Sequence, residues 1–151
     1  MCARNDQPID FCSAFPGPEQ ISYTPELAST LSRINTEVNA RYNFQSDSGS
    51  YGLKEYWTVP TGTTADCDDY VLAKIWRLHD EGVAVSALVI LIGPLANGRW
   101  HSTLGVRTDS GLVVLDSLHR STTTVERIGM DVAFYKTMDA VRWRMQERGR
   151  Y

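Results

Sequence analysis

Three strand-like apolar runs follow one another between residues 84 and 115, and this succession constrains the fold more than any other feature. The runs cover residues 84–92, 100–108 and 112–115. Residues 94–98 mark a first turn, and Asp109-Ser110-Gly111 marks a tight hairpin connection between the second and third runs. The pattern predicts consecutive strands of an antiparallel sheet.

Helical periodicity lies on both sides of these strands. A first helix is predicted to begin at Thr24-Pro25, a cap residue followed by proline in the first turn, and to end near Tyr42. A second helix fits residues 67–80, and a third fits residues 129–147, where apolar residues recur at spacings of three and four. Helices that are segregated from consecutive strands predict the α+β class.

The chain has the size of one domain, with 151 residues. Residues 1–23 hold three prolines and a glycine and are predicted to be an irregular leader, which leaves residues 24–151 as a single domain. A long connection over residues 43–66 is predicted to be functional, because structureless loops of that length are uncommon in compact domains.

Composition excludes several classes of partner. The net charge is -3 and no basic cluster stands out, so nucleic acid is not an expected partner. The longest apolar run, residues 83–91, is too short to cross a membrane. No secretory signal is visible, so the chain as given is expected to be cytoplasmic, or periplasmic if its start is processed. Of the three cysteines, Cys2 and Cys12 could form a disulfide, but the reducing cytoplasm disfavours one.

Three residues in separate elements together suggest nucleophilic catalysis. Cys67 is predicted to start a helix, where unpaired N–H groups and the helix dipole favour a thiolate and can receive an oxyanion. His101 can serve as the base and proton donor that a cysteine nucleophile needs. Asp116, just past the end of the hairpin, can hold the imidazole in one tautomer. The predicted hairpin brings Asp116 within a few residues of the position opposite His101.

Each of these residues also has an ordinary structural interpretation: a buried thiol, a surface histidine and a strand end. The three together, in this chain order, favour catalysis. Of the other histidines, His79 is too far along the helix of Cys67, whereas His119 is a reserve candidate. The acidic residues around Cys67 either cap the helix N-terminus or bind a hard cation, and the residues alone favour capping.

These residues resemble a known family, the bacterial transglutaminase-like cysteine proteinases. The segment Asp66-Cys67-Asp68-Asp69-Tyr70, with Lys74 further along, resembles its nucleophile signature. Residues 56–60, with Tyr-Trp and a proline, resemble the stretch that precedes the signature. Residues 100–104 and 112–117 resemble the histidine strand and the aspartate strand end of the family. This sequence departs from the pattern at Ala65, Asp68 and Ser117, where the family has glycine, glutamate and asparagine.

The resemblance implies a transglutaminase-like, papain-type fold, with a nucleophile helix packed on a small antiparallel sheet. It implies Cys67, His101 and Asp116 as the catalytic triad of a cysteine peptidase. LapG-type members depend on calcium beside the cysteine, which implies Asp66 and Asp68 as calcium ligands. Trp57 is either a cleft or oxyanion residue, as in related enzymes, or a loop-anchoring aromatic.

The predicted function is hydrolysis of a peptide bond in a protein substrate through a thioester intermediate. No cofactor is required for this chemistry, although Ca²⁺ is a candidate ligand. Two alternatives remain open at this stage. The same triad can transfer or deamidate glutamine side chains, and a catalytically inactive binding module could keep the same fold.

Overall fold

The structure is a computed structural model, and it describes residues 12–44 and 62–147. Most of the long connection predicted over residues 43–66 lies outside these ranges. Trp57, the predicted cleft or oxyanion residue, lies there too, together with the rest of the stretch at residues 56–60. The role predicted for Trp57 therefore stays a prediction.

Two helices form where the sequence predicts them. Helix α1 spans Pro25–Arg41, and its N-cap Thr24 accepts a hydrogen bond from the backbone N–H of Leu27. Helix α2 spans Cys67–Asp80 and begins directly after the cap residue Asp66. Apolar residues on one face of α1 are buried, as the spacing of three and four requires, whereas α2 is buried on all sides from Asp69 to Ile75.

A five-stranded antiparallel sheet packs against these helices. Its strands are β3 (Leu88–Pro94), β4 (Trp100–Thr108), β5 (Gly111–Leu115), β6 (Phe134–Thr137) and β7 (Arg144–Met145), in the spatial order β5-β4-β3-β6-β7. A separate parallel pair joins β1 (Asn43–Phe44) to β2 (Thr64–Ala65), and a short helix α3 spans Val125–Ile128. The α+β class and the three consecutive strands are confirmed.

The first of those strands begins later than predicted. Residues 85–87 form a turn of 3₁₀ helix, and strand pairing starts only at Leu88. Both faces of the sheet are covered. Leu88 and Ile90 face the core that includes α1 and α2, whereas Val89 and Leu91 pack with residues 125–132 on the other side. The alternation follows from the two-residue period of side chains along a strand.

The prediction of a helix over residues 129–147 is wrong. Gly129 takes a left-handed conformation with φ 66° and ends the short helix α3. The chain then forms β6, which pairs antiparallel with β3, and β7, which pairs with β6. Phe134 and Tyr135 favour strands intrinsically. The open edge of β3 supplies hydrogen-bond partners that a spacing pattern cannot reveal.

The described part of the leader, residues 12–23, contacts the domain. Phe15 donates a backbone hydrogen bond to Met138, and Ile21 forms a parallel bridge with Thr108. Cys12 is disulfide-bonded, contrary to the expectation from the sequence, which rested on the compartment alone. Within the described ranges, no helix combines the length and the apolar character that crossing a membrane requires.

Candidate active site

Cys67 is the first residue of α2, and the acidic residues beside it organise the start of the helix. Asp66 Oδ1 accepts from the backbone N–H of Asp69, 3.1 Å away, and Asp69 Oδ2 accepts from the backbone N–H of Asp66 at 3.3 Å. This reciprocal capping box satisfies two helix donors. The prediction of capping is confirmed for these two residues.

The thiol of Cys67 is free and half-buried, so it is not sealed in the core. It lines a cleft of about 320 Å³ together with His101, whose ring is otherwise largely buried. Apolar side chains of Phe44, Trp100 and Leu118 form much of the rim and are more than half exposed. A substrate can therefore reach the sulfur from solvent.

The hairpin register explains how His101 meets Asp116. Leu104 pairs with Leu115, so continuing the register by one residue brings Asp116 level with Thr103. His101 lies two residues further along β4, which makes it a diagonal neighbour of Asp116. His101 Nε2 is 2.5 Å from Asp116 Oδ1. The structure thus brings together the two residues that the sequence separates by a turn.

The electrostatics of this pair favour a charged imidazole. Burial lowers the pKa of His101, but hydrogen bonds and charges of Asp116 and Cys67 outweigh it and raise the pKa to about 9. Burial raises the pKa of Asp116, yet hydrogen bonds from His101, His119 and Thr103 hold it well below its usual range. At neutral pH the pair is therefore an imidazolium on a carboxylate.

His101 also connects the carboxylate to the sulfur. Because Nε2 is bonded to Asp116, Nδ1 is the ring nitrogen left for Cys67, whose sulfur accepts a hydrogen bond from the ring. The described geometry thus joins sulfur, imidazole and carboxylate in one chain of contacts.

The loop after β5 is anchored by the reserve candidate His119 and by two asparagines of α1 that the sequence analysis did not select. His119 Nδ1 lies 2.7 Å from Asp116 Oδ2, and the backbone N–H of Leu118 donates to the same oxygen. Asn39 of α1 donates to the backbone oxygens of Asp116 and His119. Asn35 is fully buried on the same helix and donates to His119 as well. The sequence signal that could have identified these two asparagines is a pair of amide side chains four residues apart, beside apolar positions of the helix.

His119, the reserve candidate, is therefore a partner of Asp116, whereas His79 is exposed in the last turn of α2. Asp68 has a separate role from its two acidic neighbours. Its Oδ1 accepts a hydrogen bond from the hydroxyl of Ser102, which follows His101 on β4. That bond joins the start of the nucleophile helix to the strand that carries the histidine.

A thiol at a helix N-terminus, an imidazole on the neighbouring strand and a carboxylate behind the ring define a class of protein. They are the groups of a papain-type cysteine hydrolase, in which the sulfur attacks a carbonyl and the imidazole moves the proton.

Comparison with known proteins identifies the family. The family model described as bacterial transglutaminase-like cysteine proteinase BTLCP matches residues 1–147. The chain therefore belongs to the bacterial transglutaminase-like cysteine proteinases, and it is a cysteine protease of that class. No curated protein matches the chain.

The fold is similar to that of LapG from Legionella pneumophila. The calcium-bound structure of that protein has a TM-score of 0.63 and 22% identity, over 76% of this chain and 67% of that chain. Its EGTA-treated structure has a TM-score of 0.63 and 21% identity, over 76% and 64% of the two chains. The likeness confirms the transglutaminase-like fold that the resemblance predicts.

Proposed function

We propose that this protein hydrolyses a peptide bond of a protein substrate through a thioester on Cys67, with His101 as proton carrier and Asp116 as orienting residue. One observation carries the proposal: His101 is bonded to Asp116 through Nε2 and to Cys67 on its other side, at the wall of an open cleft. Membership of a proteinase family supports a protein substrate.

The first half of the reaction forms the thioester. The Cys67 thiolate attacks the scissile carbonyl carbon, and the carbonyl oxygen takes up the negative charge. The backbone N–H of Cys67, which helix geometry leaves without an intrahelical acceptor, can donate to that oxygen. As the tetrahedral intermediate collapses, the C–N bond breaks and the proton of His101 passes to the departing amine.

The second half releases the other product. Neutral His101 takes a proton from a water molecule, the resulting hydroxide attacks the thioester carbon, and the C–S bond breaks. The thiolate is restored with His101 protonated again, so no net proton is held by the enzyme. Throughout, Asp116 stabilises the imidazolium and keeps Nδ1 directed at the sulfur.

N-terminal proteomics of the native host tests the proposal. Cells carrying Cys67→Ala should lose a defined set of new protein N-termini that wild-type cells contain. His101→Ala should lose the same set, whereas His79→Ala, an exposed histidine at the far end of α2, should retain it. Persistence of every cleavage in the Cys67→Ala strain would show that the nucleophile is assigned wrongly.

Two biochemical assays separate peptide hydrolysis from the alternatives. Stable incorporation of a labelled primary amine into host proteins, without new N-termini, would indicate glutamine acyl transfer instead. Alkylation of Cys67 by iodoacetamide at pH 5–8 tests the inactive binding module. A rate no greater than that of a free thiol peptide over that range would favour the inactive module.

Calcium binding by Asp66 and Asp68 stays a prediction. Calcium takes six to eight oxygen ligands. One Asp66 oxygen is used in the capping box, and one Asp68 oxygen accepts from Ser102. Residues 12–44 and 62–147 contain no group of three or more His, Cys, Asp or Glu that could hold a metal. These residues do not complete a calcium site by themselves, so the proposed mechanism includes no calcium step.

Thermal unfolding tests calcium binding without an activity assay. Wild-type protein and Asp68→Ala are compared in 1 mM CaCl2 and in EGTA. The calcium prediction is a higher unfolding temperature in CaCl2 than in EGTA for the wild type, and equal temperatures would contradict it. A rise with calcium that disappears in Asp68→Ala would establish a calcium site at the helix N-terminus.

A further inference from the structure

Lys74 is a buried lysine that the proposed mechanism does not use. It lies on α2, two helical turns beyond Cys67, and only 1% of it is exposed. Burying an ammonium group is costly unless partners compensate the loss of water. The contacts of Lys74 therefore indicate what the residue does.

Those contacts lead to the backbone directly before Asp116. Lys74 Nζ donates to the carbonyl oxygen of Leu115 at 3.2 Å. The hydroxyl of Thr103 on β4 lies 3.4 Å from the same oxygen and shares its one proton between that oxygen and the Asp116 carboxylate. The end of β5 is thus fixed from the nucleophile helix on one side and from the histidine strand on the other.

The charge that acts on Lys74 is also that of Asp116. Burial lowers its pKa to about 7, and the negative charge of Asp116 opposes that shift. The ring of Tyr70, one turn earlier on α2, lies 5.9 Å from Nζ. His101 and His119 are the other titratable groups of this network. Both contact the Asp116 carboxylate, whose negative charge acts on Lys74.

We propose that Lys74 is a positioning residue for the Asp116–His101 pair. By holding the carbonyl of Leu115, it fixes the backbone from which the Asp116 carboxylate projects, and thereby the angle at which His101 meets Cys67. The proposal rests on the proposed function. It explains why a lysine lies in the apolar interface between α2 and the sheet, where methionine would pack without a polar group.

The test compares matched substitutions of two buried lysines. Lys74→Met keeps a long unbranched side chain and removes the donor. Lys136→Met is the control: Lys136 is equally buried, but its Nζ donates to Ala140, and β3 separates its strand β6 from the histidine strand β4. The two variants and the wild type are compared after circular dichroism and thermal unfolding establish that each is folded.

Two readouts follow the catalytic pair. The first is the deacylation rate with p-nitrophenyl acetate, an activated ester, because that step needs His101 as base. The second is the pKa of His101, from NMR titration of protein labelled with ¹⁵N-histidine. For Lys74→Met we expect at least a tenfold lower deacylation rate and a His101 pKa at least half a unit lower. For Lys136→Met we expect both within experimental error of the wild type.

A folded Lys74→Met protein with an unchanged or higher His101 pKa would overturn the proposal, even if its rate falls, because the loss would then arise elsewhere. Should Lys74→Met not fold, Lys74→Gln, which keeps a polar group on a shorter side chain, is judged by the same two readouts. Failure of the part of the proposed function on which this inference rests, Cys67 as nucleophile, gives a different result. In that case wild-type protein and Cys67→Ala would turn over the ester equally, whatever the substitutions at Lys74 do.

Discussion

Replacing Asp116 by asparagine tests the electrostatic basis of the site most directly. Asparagine has nearly the same shape but no charge, so it cannot compensate the imidazolium of His101. The pKa of His101 is raised from 6.5 to about 9 in the folded protein, against the lowering effect of burial. A net shift of that size corresponds to about 3 kcal/mol, and Asp116 and Cys67 together contribute more than this because they also offset the effect of burial.

The expected effects follow from that figure. Without the carboxylate, only the contact with Cys67 opposes the effect of burial, so the pKa of His101 should fall by at least one unit. An amide can also hold the ring in the wrong tautomer. Loss of an orienting carboxylate in this way lowers turnover by up to about 10⁴-fold in a related triad, so we expect on the order of 10³-fold here.

The assay is turnover of p-nitrophenyl acetate between pH 5 and 10. In the wild type, the species with protonated His101 should persist to about pH 9, and its titration should appear in the acylation phase. In Asp116→Asn that transition should move down by at least one pH unit. Asp109→Asn, at the turn end of the same hairpin, should leave both rate and transition unchanged. Asp116→Asn turnover within threefold of the wild type, with the transition still near pH 9, would refute the reasoning.

Three further predictions concern stability. Gly93→Ala should lower the unfolding free energy by about 3 kcal/mol or more in urea titration, because the added Cβ would overlap the backbone oxygen of Asp131; a loss under 1 kcal/mol would contradict that steric argument. Asn39→Ala should cost about 1–3 kcal/mol, because it removes the donor to the Asp116 backbone oxygen, and unchanged urea unfolding would show that this oxygen needs no protein donor. The raised pKa of His101 stabilises the fold fully below about pH 6.5, and that contribution is lost as pH rises to about 9. The stability advantage of wild type over His101→Gln should therefore shrink between those pH values, and a constant difference would contradict the assigned shift.

The sequence predicted the elements that local physics determines. The cap at Thr24 and the periodicity after it define α1, and the acidic cap before Cys67 defines the start of α2. The hairpin was predicted because its turn residues and apolar runs lie within one short segment. The same locality explains why His101 and Asp116 could be paired in advance, since a hairpin register fixes which residues are neighbours.

Only the tertiary structure decided the features that depend on distant partners. Residues 134–137 have helical spacing within a longer pattern, yet they form β6 because β3 offers an open edge. The amide of Asn39 reaches the loop of Asp116 across 77 residues of sequence, and the ammonium of Lys74 reaches Leu115 across 41. The sequence by itself determined which groups could do the chemistry. Their fixed arrangement was decided by the packing of α1 and α2 on the sheet, because a buried polar group finds its partner only when the chain closes around it.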